Sequence, residues 1–172
     1  MKFTYIICFI LFFGTYEYNY ACDCNYEGGF LKMSLNSKLI TVVKVKKFIT
    51  FKDINDEQVP MSMEVEVIEV VKGKESRKTF IIWGDNGNLC RPYLSSFQLG
   101  QYYIMSLNAA SDGSKNNYFH IKERPKDYYI SACGCYWLTF NKDSKTVYGD
   151  ISKNKKEMKL TELKNKIKKT AS

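Results

Sequence analysis

Few residues of this chain have types that could do chemistry: six cysteines, one histidine, and the aspartates Asp85 and Asp112, each beside a glycine. Cys22-Asp23-Cys24 and Cys133-Gly134-Cys135 look like two ligand pairs, with Cys90 between them in sequence. Structural zinc usually takes paired thiolates with two or more residues between them, because a single intervening residue strains tetrahedral chelation. His120 also has no second histidine to join it. Disulfides are the expected chemistry, with no intrinsic metal site. A cysteine nucleophile would need a nearby base and freedom from a bridge. Cys135 is the candidate unpaired thiol, but nothing in the spacing brings it to His120, which reads as an ordinary strand-edge histidine. Asp85 and Asp112 have the glycine neighbours of turn residues. The sequence contains no glycine-rich phosphate loop, histidine metalloprotease motif or serine elbow. The chain is expected to be no enzyme and to need no cofactor.

Disulfides imply an oxidising compartment, and the amino terminus carries the layout of an export signal. Met1 and Lys2 precede an apolar run at residues 5–13, Gly14 breaks it, and Ala21 stands before Cys22. The run is far shorter than the roughly 20 apolar residues that cross a bilayer. A buried amino-terminal strand is the competing reading, and it would require cover on both faces. Cleavage after Ala21 leaves Cys22, Cys24, Cys90, Cys133 and Cys135, an odd set. The same junction half-fits a lipoprotein signal, with Asn19 where an aliphatic residue is usual. A lipid on Cys22 would remove it from pairing and leave an even set. The expected location is secreted or at the cell surface, with a lipid anchor on Cys22 as one form of the second.

The elements that position these cysteines read mainly as strands. A hydrophobic fraction of 45% with 26% charged residues excludes disorder and a many-pass membrane protein. Residues 25–38 read as a short helix or loop with Phe30, Leu31, Met33 and Leu35 as packing points. Residues 39–51 alternate as a strand in which Lys47 falls on the apolar phase, the mark of a bulge. Residues 53–60 read as a polar connection. In residues 61–71 the apolar phase switches at Ile68, as expected where a strand bends around a small barrel. Further strands are expected at 79–83, 101–107, 118–121, 128–130 and 136–140. Residues 151–172 hold eight lysines and two acids out of a net charge of +8. Residues 157–169 there carry an amphipathic helical spacing of Leu160, Leu163 and Ile167. The charge therefore belongs mainly to the tail, which together with export argues against a nucleic-acid partner. It leaves an anionic surface, or plain solvation, as the tail's role.

A mature chain that starts Cys22-Asp23-Cys24 and continues with two long alternating strands, the second ending Val70-Val71-Lys72-Gly73, resembles the tissue inhibitors of metalloproteinases and netrin-like domains. The resemblance implies an all-β fold with peripheral helices: a five-stranded Greek-key barrel of the OB type over residues 22–150. A signal would occupy residues 1–21 and a basic helical tail residues 151–172. It also implies a bridge from Cys22 to Cys90, and one from Cys24 to Cys133 or Cys135, with Cys24–Cys133 preferred and Cys135 left free. In such inhibitors the first residue's amine and carbonyl chelate the zinc of the target protease. Cys22 would make that contact in trans, Asp23 would enter the specificity pocket, and Cys24, Asn88 and Leu89 would complete the protein-binding ridge. The implied partner is an extracellular metalloprotease or another surface protein. A cell-surface structural or anion-binding module that uses the lysine-rich helix is the alternative.

Overall fold

The computed structural model describes residues 24–170. Two strands of equal length dominate it, β1 (Leu39–Ile54) and β2 (Glu57–Lys72). They are joined by Asn55-Asp56 alone, with φ of 54° and 64°. Positive φ at both central residues is the tight hairpin turn that matches strand twist, and asparagine and aspartate tolerate it. Asp53 tightens the end by accepting the Asp56 amide at 3.1 Å and the Gln58 amide group at 3.2 Å. Residues 53–60, expected as a connection, are instead paired strand around this turn. Their polarity has a physical cause: β4 pairs with β1 only as far as Lys44, and β3 with β2 only from Ser62. Beyond those points the hairpin continues as an arm that is mostly exposed, though Val45, Pro60 and Met61 stay buried. The two expected irregularities are present. Pairing jumps from Val45↔Val65 to Lys47↔Glu64, and from Val42↔Glu69 to Val43↔Val67, which leaves Lys46 and Ile68 without directly opposed partners.

The hairpin closes into a barrel. β3 (Thr79–Trp83) lies antiparallel to β2, and β4 (Tyr102–Ala109) antiparallel to β1. The two-residue β5 (Tyr128–Tyr129) is parallel to β3 and antiparallel to β4, completing the ring β1-β2-β3-β5-β4-β1. This is the five-stranded Greek-key barrel of the OB type. β6 (Trp137–Asn141), β7 (Thr146–Ser152) and β8 (Lys155–Lys159) extend the sheet outward from β4. Residues 118–121, expected as a strand, form none. Their backbone is committed to turns, with Phe119 N–H on the Asn116 carbonyl at 3.2 Å and Glu123 N–H on that of His120 at 2.8 Å.

Two cores share the wall formed by β1 and β4. Leu39, Val43, Val45, Met63, Ile82 and Met105 point into the barrel. Ile40, Val42, Ile104 and Leu138 point outward, beneath α1 (Phe30–Met33) and α2 (Leu160–Thr170). Simple alternation therefore fails in residues 39–43, which are all buried. Leu160, Leu163 and Ile167 pack onto the outer core, so the amphipathic stripe serves the fold itself. The basic tail also begins as sheet: residue 150, the expected domain boundary, falls inside β7, and Met158 of β8 is buried in the same core.

Two consequences can be measured. Leu163 is fully buried, so Leu163→Ala should destabilise the whole domain by about 2–5 kcal/mol in chemical denaturation; a loss below about 0.5 kcal/mol would mean the helix is dispensable. Glu75 receives Arg77 Nε at 2.9 Å and Nη2 at 2.6 Å, and the Tyr128 hydroxyl at 2.9 Å. Its hydrogen bonds with Arg77 outweigh burial and hold the carboxyl at about 2, below its ordinary 4.5. The native state therefore gains stability from Glu75 above pH 4.5 and loses it as pH falls toward 2. Glu75→Gln should flatten that part of the stability profile.

Candidate functional site

The described chain starts in a clamp at one end of the barrel. A disulfide joins Cys24 to Cys133, 109 positions apart, with Cα atoms separated by 5.5 Å. Beside it, Glu27 N–H donates to the Cys133 carbonyl at 2.7 Å and Cys135 N–H to the Gly28 carbonyl at 3.0 Å. The Tyr26 hydroxyl donates to the Asp150 carboxylate on β7. Gly134 makes this approach possible, because a Cβ there would stand 2.6 Å from Met33 Sδ and 3.1 Å from the Gly28 carbonyl. The amino-terminal segment is thus tied by sulfur, backbone and side chain together.

Cys90 is disulfide-bonded as well; its expected partner Cys22, like Asp23, lies outside the described residues. The sulfurs of Cys24, Cys90 and Cys133 lie within 4.8 Å of one another. All three are oxidised, and a bridged sulfur offers no thiolate to a metal. The Cys90 carbonyl accepts Ala132 N–H at 2.9 Å, which joins the loop after β3 to the segment that carries Cys133.

That loop, residues 84–92, is built around Asp85, whose carboxylate accepts the amides of Asn86 at 2.9 Å and Leu89 at 2.6 Å. The two expected contact residues part company here. Asn88 is exposed, and its carbonyl accepts the Tyr118 hydroxyl at 2.6 Å. Leu89 turns inward and is only 5% exposed, so it braces the loop from below. Next to Cys90, Arg91 makes a two-pronged ion pair with Glu123 at 2.9 and 2.8 Å, and both side chains are buried. Ser111 N–H donates to the same carboxylate at 2.8 Å, and the guanidinium stands over the Tyr129 ring at 4.4 Å. Sequence reasoning missed this pair because Glu123 sits in a charged stretch that reads as solvated, and no periodicity links it to Arg91.

His120 Nε2 donates to the Gly84 carbonyl at 2.8 Å, and its ring stacks on Trp83 at 5.0 Å. Burial pushes the imidazole below its ordinary value. Gly113 permits the close passage of this segment, since a Cβ there would fall 1.7 Å from the His120 carbonyl. Between His120 and the β1–β2 arm lies a cleft of about 450 Å³ lined by Ile49, Phe51, Met61, Trp83, Ile121 and Lys122, among others. Phe51 and Ile121 are 52% and 71% exposed at its rim. Lys52 Nζ reaches from the arm to the Asn86 carbonyl at 3.1 Å. Clamp, Cys90 loop and arm therefore make one connected surface.

The sequence matches no protein-family model and no curated protein. The fold and its bridges carry the functional argument. Cys135 has a free, half-buried thiol whose hydrogen bond goes to the Trp137 carbonyl at 3.2 Å, and burial raises it further from the thiolate form. Cys135 packs at the edge of the outer core, while His120 is held by Trp83 and Gly84. Among the described residues, no helix is long and apolar enough to cross a membrane.

The His120 environment has a readable signature. An NMR titration should place its midpoint below 6.5, with the proton on Nε2 at neutral pH. The unfolded ring takes up its proton first, so stability should fall as pH drops through about 6.5. His120→Gln should remove that dependence; a midpoint at or above 6.5 would contradict the buried neutral ring.

Proposed function

We propose that this chain is an exported, disulfide-stapled binding module that presents its amino-terminal ridge to a protein partner, in the manner of the metalloproteinase inhibitors it resembles. The observation that carries this reading is the Cys24–Cys133 bridge with the Cys90 sulfur alongside, within 4.8 Å. It fixes the chain where residues 22 and 23 join the barrel. A terminal wedge held by covalent bonds loses little conformational freedom on docking, which favours tight association. Cys22 would offer its amine and carbonyl to a zinc ion held by the partner, with Cys24 and Asn88 on the flanks. Asp23 fits a partner pocket that supplies a cation or hydrogen-bond donors, because an apolar pocket would strip its carboxylate of water without compensation. The bridges suit an oxidising compartment, in keeping with the export signal read at residues 1–21.

A binding role rather than an enzymatic one is supported by what the reactive residues do. His120 is held in place by Gly84 and Trp83, and the Cys135 thiol is held away from ionisation. The deciding experiment compares the exported protein starting at Cys22 with a variant carrying one added alanine before Cys22. The free-amine protein should inhibit a zinc metalloprotease, and the extended one should not. Neutralising the tail lysines should leave inhibition intact. Absence of inhibition by the protein with a free Cys22 amine, across a panel of metalloproteases, would end this reading.

A further inference from the structure

The lysine-rich carboxyl-terminal part is a folded face, and its neighbours suggest what it meets. Residues 142–169 hold ten lysines and four acids. Lys142, Lys145 and Lys164 border one shallow depression, and Lys155, Lys156 and Lys159 border a second. Lys159 Nζ joins the two by donating to the Ser144 carbonyl at 2.9 Å and to Thr146 Oγ1 at 3.1 Å. The acids that reach this face are accounted for: Asp150 pairs with Lys156, Glu69 of β2 with Lys164, and Glu162 with Lys166, while Asp143 and Glu157 complete the set. The face keeps a clear excess of positive charge. Its helix cannot insert into hydrocarbon, because Leu160, Leu163 and Ile167 are already buried against the barrel.

The geometry points to docking of this face, the outer side of the β7–β8 hairpin and α2, on an anionic lipid surface. The amino-terminal clamp favours lipid over a soluble polyanion. Tyr26 is bonded to Asp150, and Asp150 to Lys156 at 2.7 Å. The described chain therefore begins, at Cys24, beside the basic hairpin and two residues from Cys22, the expected site of a lipid anchor. A chain held at a membrane through a lipid on Cys22 would set these lysines against the headgroups, where each contributes a short-range, salt-sensitive attraction. Such docking is peripheral and does not itself require a free Cys22 amine. The inference is independent of the protease reading.

Vesicle co-sedimentation of the exported protein tests it, with phosphatidylglycerol and phosphatidylcholine at about 3:7 compared with phosphatidylcholine alone. Binding to the anionic vesicles should be at least about tenfold stronger, and should fall at least about tenfold between roughly 0.1 and 0.5 M salt. The triple change Lys142→Gln, Lys145→Gln and Lys155→Gln, all at exposed positions, should weaken it by about tenfold or more without altering the thermal midpoint. A control triple at Lys74, Lys78 and Lys126, exposed elsewhere, should leave it unchanged. Equal binding to both vesicles, equal losses in the two triples, or tighter retention by heparin at matched charge would overturn lipid docking.

Discussion

The first half of β1 has neighbours on every side, and the rest of the domain is arranged around that fact. Its two edges pair with β2 and β4, while its two faces fill the barrel and the outer core. A strand so enclosed buries side chains on both faces, as residues 39–43 do, with the Thr41 hydroxyl donating to the Glu69 carbonyl at 2.9 Å. It also constrains where the helices can sit, since Ile40 and Val42 are covered by α1 and α2 together with Leu138, Phe140, Val147, Ile151 and Met158 of β6–β8. Past Val45, which is still buried in the barrel and bonded to Gln101 and Gly100, the same strand is freer of those demands and continues as a mostly exposed arm. One strand thus serves as wall and as projecting surface, and the change occurs where its second partner ends.

Much of this was legible from local pattern. The misplaced Lys47 and the switch at Ile68 each mark a break in register that the hairpin shows, because side-chain alternation records bulges directly. The Cys24–Cys133 bridge follows from the resemblance of the Cys-x-Cys start, and it is formed. Polarity alone misled at residues 53–60, since a mostly exposed arm has the composition of a loop. Residues 118–121 misled in the opposite sense: their aromatic side chains serve Trp83 and the Cys90 loop rather than a sheet. Leu89 was read from its place beside Cys90, and its inward turn depends on the Asp85 cap, which no spacing announces.

The least legible feature is the buried Arg91–Glu123 pair. A single partner removed from such a pair leaves an uncompensated charge, typically at a penalty of about 3–5 kcal/mol. Its value here is geometric, because it holds the Cys90 loop against the segment bearing His120 and Ile121. Covalent bonds fix one end of the candidate surface and a charge pair fixes the middle. The arm hangs from that frame by Lys52 and the barrel strands.

The span of the Cys24–Cys133 bridge bears on how the protein is made. If the chain is exported amino terminus first, Cys22 and Cys24 would meet the oxidant before Cys133, 109 positions behind Cys24, emerges. Neighbouring thiols meet first, and Cys135 competes for the same partner only two residues beyond the native one. First-come pairing would then favour a non-native product. The native bridge would be reached by exchange, in which a thiolate attacks an existing disulfide and passes the bond along. Yield of the finished ridge is then set by the isomerase capacity of the compartment, and by how soon β5 closes the barrel and brings the right sulfurs together.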